Sequence, residues 1–339
     1  MAKQTKKLPA AVPVAMDLMW GGWSPCAVAA AVELEVFSAI ASGKTTAAEI
    51  AGEAHANESA MRRLLDALVA LKYLARKGDR YALSPHAATF LVRGSELYME
   101  GAGRFATAQM MGWFNLAAVV RSGAPQPRPG GEAGMADFFA TLVKVIFPPG
   151  YVAAKEAVAR IPRPARARIK NVLDVGAGAA AWSIPFAQAN RATRVTVVDL
   201  PQVTAVTREY AAKFGVADQY EYREGDLNEV DFGAARYDLV TLGHIIHSVG
   251  RDAGRRLIER CAAALRERGM LLIAEFIPND DRTGPPLAML FGLNMMLHSP
   301  IADVFTMKEY RGWLKAAGFR TVKVLRTPAA PSPLILATK

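Results

Sequence analysis

The chain has 339 residues, 52% apolar and 21% charged, enough to bury the cores of two domains and unlike the composition of a disordered or fibrous protein. Its formal charge of +10 collects around Arg160, Arg163, Arg166, Arg168 and Lys170, ahead of a strand, so it reads as a solvated connector and not as a nucleic-acid face. Apolar runs are cut by charges such as Glu33 and Glu35 before the ~20 residues a membrane helix needs. No secretory signal precedes the first helical pattern, and Cys26 and Cys261 are isolated, so the expectation is a cytoplasmic protein with no disulfide, metal site, membrane or nucleic-acid partner.

In chain order, residues 10–42 carry Ala, Val, Leu and Met at helical spacing. T-T-A-A-E-I-A-G-E-A and S-A-M-R-R-L-L-D-A-L-V-A-L predict two further helices, the first capped by Thr45 with Glu49 near the end of its first turn. Y-L-A-R-K-G-D-R-Y-A-L-S alternates on either side of Gly78-Asp79, a hairpin signal. Helices followed by a hairpin predict a winged helix. Leu97 to Val120 is helical again, residues 122–134 form a Pro/Gly loop, and helices are expected at 135–146 and 150–160.

From Asn171 strands alternate with helices, which predicts a parallel sheet covered on both faces. The strands are read at 171–175, 194–199, 219–224, 237–243 and 270–276, with V-K-V-L-R-T-P and P-L-I-L-A-T-K as an antiparallel hairpin on the sheet edge. The fold class is therefore α/β, Rossmann-like. Its domains are 1–105, a helical connector 106–170 contributing to a substrate pocket, and a ligand-binding domain 171–339.

N-V-L-D-V-G-A-G-A-A-A-W, residues 171–182, reads as a nucleotide-cofactor loop, because Gly176 and Gly178 permit a tight turn into a helix whose free N–H groups face an anion. Gly176, Gly178 and Ala181 alone also satisfy the dinucleotide fingerprint. Asp174 before the loop, E-G-D-L after the third strand and the terminal hairpin turn the reading toward S-adenosylmethionine. An acid at the end of the first strand suits a cationic sulfonium, and Asp199 and Asp226 lie on the same carboxyl edge.

Those residues resemble the class I methyltransferases, specifically the two-domain small-molecule O-methyltransferases of the caffeate and bacterial secondary-metabolite type. The motifs are L-D-V-G-A-G, V-V-D-L-P, G-D-L, H-S-V-G-R-D and L-L-I-A-E-F-I-P, in that order. The resemblance implies that Gly176 and Gly178 shape the methionine side, that Asp199 in V-V-D-L-P, next to Leu200, binds the ribose hydroxyls, and that Asp226 and Leu227 flank the adenine. It further implies a homodimer swapped through the N-terminal helices, His247 as base and Glu275 as its orienting acid. Ala180 departs from the family's third glycine, Val304 from a common Glu, with Asp303 adjacent but out of register, and Gly243 from the Lys of plant members.

Methyl transfer from a sulfonium is an in-line displacement that needs positioning and, for a phenol, proton removal. A phenol titrates near ~10 and imidazole near ~6.5, so a neutral His is available as base where phenolate is scarce. His244 is read as lining or packing, still on its strand. Residues 287–300 form a Met-rich helix in which the resemblance places Met295 against the acceptor. Trp113, Phe114, Phe139 and Phe147 are candidates for a flat aromatic pocket, and Asn294 and His298 for reading substrate hydroxyls. Two alternatives stand beside O-methylation: C-methylation by proximity without a base, and a winged-helix DNA-binding regulator with a ligand-sensing half.

Overall fold

The structure is a computed structural model that describes residues 12–126 and 131–339. The chain divides into two compact units, Met1–Met110 and Met111–Lys339. In the first, helices Trp23–Glu33, Val36–Ala41, Ala47–Glu53 and Glu58–Ala70 precede an antiparallel pair, β1 (Leu74–Lys77) and β2 (Arg80–Leu83). Met61, Leu65 and Leu68, spaced four and three apart, put one stripe of helix Glu58–Ala70 into a core with Phe37, Ile50 and Tyr81. Helix Ala47–Glu53 starts one residue later than expected. Thr46, not Thr45, is its cap, accepting from the Glu49 N–H while the Glu49 carboxylate accepts from the Thr46 N–H at 2.9 Å.

Before the sheet, helix Gly131–Arg160 runs unbroken through Pro148 and Pro149, where two helices were expected. It begins inside the stretch read as a Pro/Gly loop, of which residues 127–130 lie outside the described residues. Two prolines remove two backbone donors, but packing on either side holds the helix line. Phe147 stacks on Tyr151 at 5.4 Å, and Gly150 lets the Cβ of Ala181 approach to within 3.1 Å of where its own Cβ would lie.

The sheet of the second unit comprises β3 (Asn171–Val175), β4 (Arg194–Asp199), β5 (Tyr220–Glu224), β6 (Tyr237–Gly243), β7 (Leu265–Ala274), β8 (Thr321–Leu325) and β9 (Leu334–Thr338), in the order β5-β4-β3-β6-β7-β9-β8. Strands β3 to β7 pair in parallel, as the alternation predicts. The terminal pair is the antiparallel hairpin expected on the sheet edge. β9 inserts antiparallel between β7 and β8, so β8 is the edge. The sequence fits that order: Leu334 to Ala337 are all buried, as an inner strand requires, while β8 alternates exposed and half-buried residues. The order reverses between β3 and β6, and the carboxyl ends there open the crevice in which such sheets hold ligands. No helix of the described residues is long and apolar enough to cross a membrane.

Candidate active site

At that crevice Gly176 and Gly178 adopt φ of +64° and +58°. Each is also closely approached. A Cβ on Gly176 would lie 3.0 Å from the Ile245 side chain, and one on Gly178 2.9 Å from Val143. Ala180, the position of the missing third glycine, is fully buried and also left-handed, at φ +60°, which costs an L-residue about 1–2 kcal/mol. The loop is tied to the next strand through Asp199, whose Oδ2 accepts from the Gly178 N–H at 2.9 Å and whose Oδ1 accepts from the Leu200 N–H at 2.8 Å. Burial pushes the Asp199 carboxyl up to about 6, against the lowering effect of those two N–H groups.

Asp174 differs from its expected role at the ligand. It is buried, and both its oxygens are taken by internal hydroxyls: Ser183 donates to Oδ2 at 2.5 Å and Thr241 to Oδ1 at 2.6 Å. The reason is register. Asp174 pairs with Thr241 across β3 and β6, so the two side chains stand next to each other on one face of the sheet, one residue short of the strand's end. Burial raises it to about 6, opposed by the two hydroxyls and reinforced by the charge of Asp199. Asp226 is exposed, its Oδ1 accepting from the Asn228 backbone and side-chain N–H groups, with half-buried Leu227 beside it.

On the other side of the crevice, His247 lies in the short helix Ile246–Val249 after β6, and Glu275 follows β7. Their side chains meet at 2.6 Å, Nδ1 to Oε2. Oε1 of Glu275 accepts from the backbone N–H groups of Ile246 at 2.7 Å and His247 at 3.2 Å. Burial alone would raise this carboxyl, which is 1% exposed, but the charge and hydrogen bond of His247, with His244 and the backbone, outweigh it and hold it below its ordinary value. With Nδ1 donating to the carboxylate, Nε2 carries the free lone pair. Asp303 does not reach this ring. Its side chain accepts from Arg282, while its N–H donates to the His247 carbonyl, and Val304 is buried beside it.

His244 is not on the strand. It turns away after Gly243 at φ +61°, its N–H still donating to the Ala274 carbonyl. Its ring lies between Trp182 at 5.9 Å and Phe276 at 5.2 Å, and Phe276 stacks on Phe291, which meets the His247 ring edge-on at 4.8 Å. The Trp182 indole occupies the space a Gly243 side chain would need, since a Cβ there would fall 2.0 Å from it. His244, His247 and Glu275 each offer a ligand atom within 4.8 Å of the others. Both Glu275 oxygens already accept from N–H groups, so the cluster is built for hydrogen bonding.

The expected acceptor residues separate into two groups. Trp113 and Asn294 come together, the indole N–H donating to Asn294 Oδ1 at 3.0 Å, so this buried amide holds a neighbouring side chain. Met295, in helix Pro286–Met296, and His298 just after it are half-buried. Phe147 is a correction. It is 1% exposed and enclosed by Tyr151, Tyr210 and Phe214, which leaves no ring face for a ligand. Phe114 is 81% exposed, while Phe139 meets Phe138 edge-on. Trp182 and Phe276 were missed by sequence reasoning. The side-chain-free Gly243 was their one signal, read only as a lost lysine.

The O-methyltransferase domain family matches residues 156–320, and the O-methyltransferase dimerisation domain family matches residues 16–93. The chain is 30% identical over 320 residues to the tetracenomycin polyketide synthesis 8-O-methyl transferase of Streptomyces glaucescens, covering 92% of this chain and 91% of that protein. It is 29% identical over 315 residues to the 3-hydroxy-5-methyl-1-naphthoate 3-O-methyltransferase of Streptomyces sahachiroi, covering 91% and 90%. Its fold matches that of human N-acetylserotonin methyltransferase, solved in complex with adenosylmethionine, with a TM-score of 0.81, 23% identity and coverage of 100% and 99%.

Proposed function

Because the chain belongs to the O-methyltransferase family, we propose that it methylates an oxygen of a small aromatic, polyketide-like acceptor, with His247 as general base and Glu275 as its positioning partner. The protein is an adenosylmethionine-dependent methyltransferase, and its residues fit that cofactor. Asp199 uses one lone pair on each oxygen for Gly178 and Leu200, so each oxygen keeps another for one of two vicinal ribose hydroxyls. Gly176 and Gly178 shape the methionine side of the loop, and Leu200, Asp226 and Leu227 border the nucleoside side. When bound, adenosylmethionine supplies an electrophilic methyl group on a sulfonium.

The observation that carries the reading is the 2.6 Å contact between His247 Nδ1 and Glu275 Oε2. It fixes the tautomer in which Nε2 accepts the acceptor's hydroxyl proton, and the carboxylate then stabilises the imidazolium. The stacked Phe276 and Phe291 supply an aromatic wall against the His247 ring, and Met295, Trp113, Asn294 and His298 belong to the acceptor side. The two acceptors in the Streptomyces relatives' names, a naphthoate and a tetracenomycin, are flat and polycyclic, which such a wall suits. C-methylation by proximity would have no use for a buried, oriented imidazole.

The first unit serves assembly in this reading: a homodimer formed through the N-terminal helices, where Leu18, Met19 and Trp23 expose apolar side chains. A DNA-reading role is disfavoured, because helix Glu58–Ala70 turns its apolar stripe inward and pairs Arg62 with Glu58. Replacing His247 by Ala tests the chemistry. Turnover should fall about 10² to 10⁴-fold while affinity for adenosylhomocysteine is unchanged, and near-wild-type turnover would refute the base assignment.

A further inference from the structure

We propose that His244 is a second acceptor-reading residue, a hydrogen-bond donor that selects substrates in which the methylated hydroxyl stands beside a carbonyl oxygen. The proposal rests on the O-methyltransferase reading above. It starts from a side chain which that mechanism leaves unused. His244 Nδ1 is sealed from solvent and has no hydrogen-bond partner, so the open polar end of the ring is Nε2. A neutral imidazole carries one proton. Placed on Nδ1, it would create a buried orphan N–H, rarer in proteins than an unsatisfied acceptor, so the proton belongs on Nε2. Burial pushes this imidazole down to about 4, with His247 adding to the effect and Glu275 opposing it, so it stays neutral at physiological pH.

The two histidines are therefore complementary. His247 presents a lone pair at Nε2, because Nδ1 is committed to Glu275. His244 presents an N–H. The rings lie 6.2 Å apart, centre to centre, joined along one side by the stacked Phe276 and Phe291. A hydroxyl and a carbonyl in peri positions of a fused ring hold their oxygens about 2.7 Å apart, the usual O–H···O spacing, so the hydroxyl proton bridges to the carbonyl until a base takes it, and the carbonyl keeps a second lone pair for a donor. That is the pattern the two imidazoles complete. The left-handed backbone of His244, unusual outside glycine, turns its ring out of the strand, and Trp182, seated over Gly243, packs against it at 5.9 Å.

The two monohydroxyanthraquinone isomers make a matched probe: in one the hydroxyl is peri to a carbonyl, in the other it is one position further round the ring. Dissociation constants for both are measured by fluorescence on the full-length protein saturated with adenosylhomocysteine. The wild type should prefer the peri isomer by about tenfold, one well-made hydrogen bond. His244→Asn tolerates the left-handed backbone but withdraws the donor, and should abolish that preference while leaving the affinities for adenosylhomocysteine and the other isomer unchanged. His244→Gln, with longer reach, should restore part of it. Wild-type protein that binds the isomers equally, or binds neither, would overturn the proposal, as would an Asn variant that weakens both alike. His247→Ala should keep most of the preference in this binding assay while losing turnover, so failure of the base assignment appears separately.

Discussion

Three carboxylates belong to the sheet unit, Asp174 and Glu275 buried and Asp199 half-buried, yet they fall on opposite sides of the ordinary carboxylate range. Asp174 and Asp199, on the cofactor side, are raised to about 6, whereas Glu275, on the acceptor side, is held down despite being as buried as Asp174. Desolvation raises all three, so the neighbours decide. Glu275 has an imidazole and two backbone N–H groups, Asp199 two N–H groups without a cation, and Asp174 two hydroxyls and the repulsion of Asp199. An imidazole partner together with two backbone N–H groups outweighs desolvation where two N–H groups or two hydroxyls alone do not.

The sharpest way to break this contrast is to remove the charge from the acceptor side. Glu275→Gln would offer an amide N–H to His247 Nδ1, forcing the proton onto Nε2 and removing the base. Turnover should fall by about 10⁴, the scale of wrong-tautomer loss in a catalytic triad. A variant within threefold of wild type in single-turnover assays would contradict the assigned tautomer.

On the cofactor side the expected effects follow pH. Asp199 must be a carboxylate to accept from two ribose hydroxyls, and its raised pKa means that it takes up a proton below about 6. Affinity for adenosylmethionine should therefore weaken as pH falls through 6, by about tenfold per unit at most. Calorimetric titrations between pH 5 and 8 would show it, and flat affinity would exclude the assignment.

Asp174 carries a stability prediction of definite sign. Its folded-state pKa lies above the unfolded value, so between about pH 4 and 6 the folded protein binds a proton that the unfolded chain has released. Stability is lost as pH rises through that window, by on the order of 3 kcal/mol. Glu275, held low, has the opposite sign, its contribution being present above the unfolded value and lost in acid. Asp174→Asn removes the first effect alone. The melting temperature of the variant relative to wild type should rise between pH 5 and pH 7.5, and a difference independent of pH would count against the buried charge. The smallest effect is expected at Ala180, where Gly relieves the left-handed strain and should add about 1 kcal/mol of stability, read as a small rise in melting temperature without change in cofactor affinity.

Strands and helices of the sheet were legible because the relevant pattern is local. Val172 to Val175 and Val195 to Val198 are buried runs between turns, and the observed strands β3, β4 and β6 have the expected limits. The helix across Pro148-Pro149 was not, since local chemistry argues for a break and only packing by Phe147, Tyr151 and Gly150 overrides it. In the site, His247 and Glu275 were singled out by the family resemblance, and the structure brings them together at 2.6 Å. Asp174, Phe147 and Asn294 were recognised as important residue types, but their partners Thr241, Tyr210 and Trp113 lie 67, 63 and 181 positions away in sequence.

The sequence by itself determined the alternation of elements, the loop that must turn at Gly176 and Gly178, and the chemical groups available at the carboxyl edge, because periodicity, backbone freedom and ionisable chemistry are properties of a few adjacent residues. Only the tertiary structure decided which way those groups face: Asp174 inward onto Ser183 and Thr241, β9 between β7 and β8, Trp182 in the space above Gly243, and His244 turned toward His247. Those outcomes depend on the partner that long-range packing brings to each side chain, and no short window of sequence contains both members of the pair.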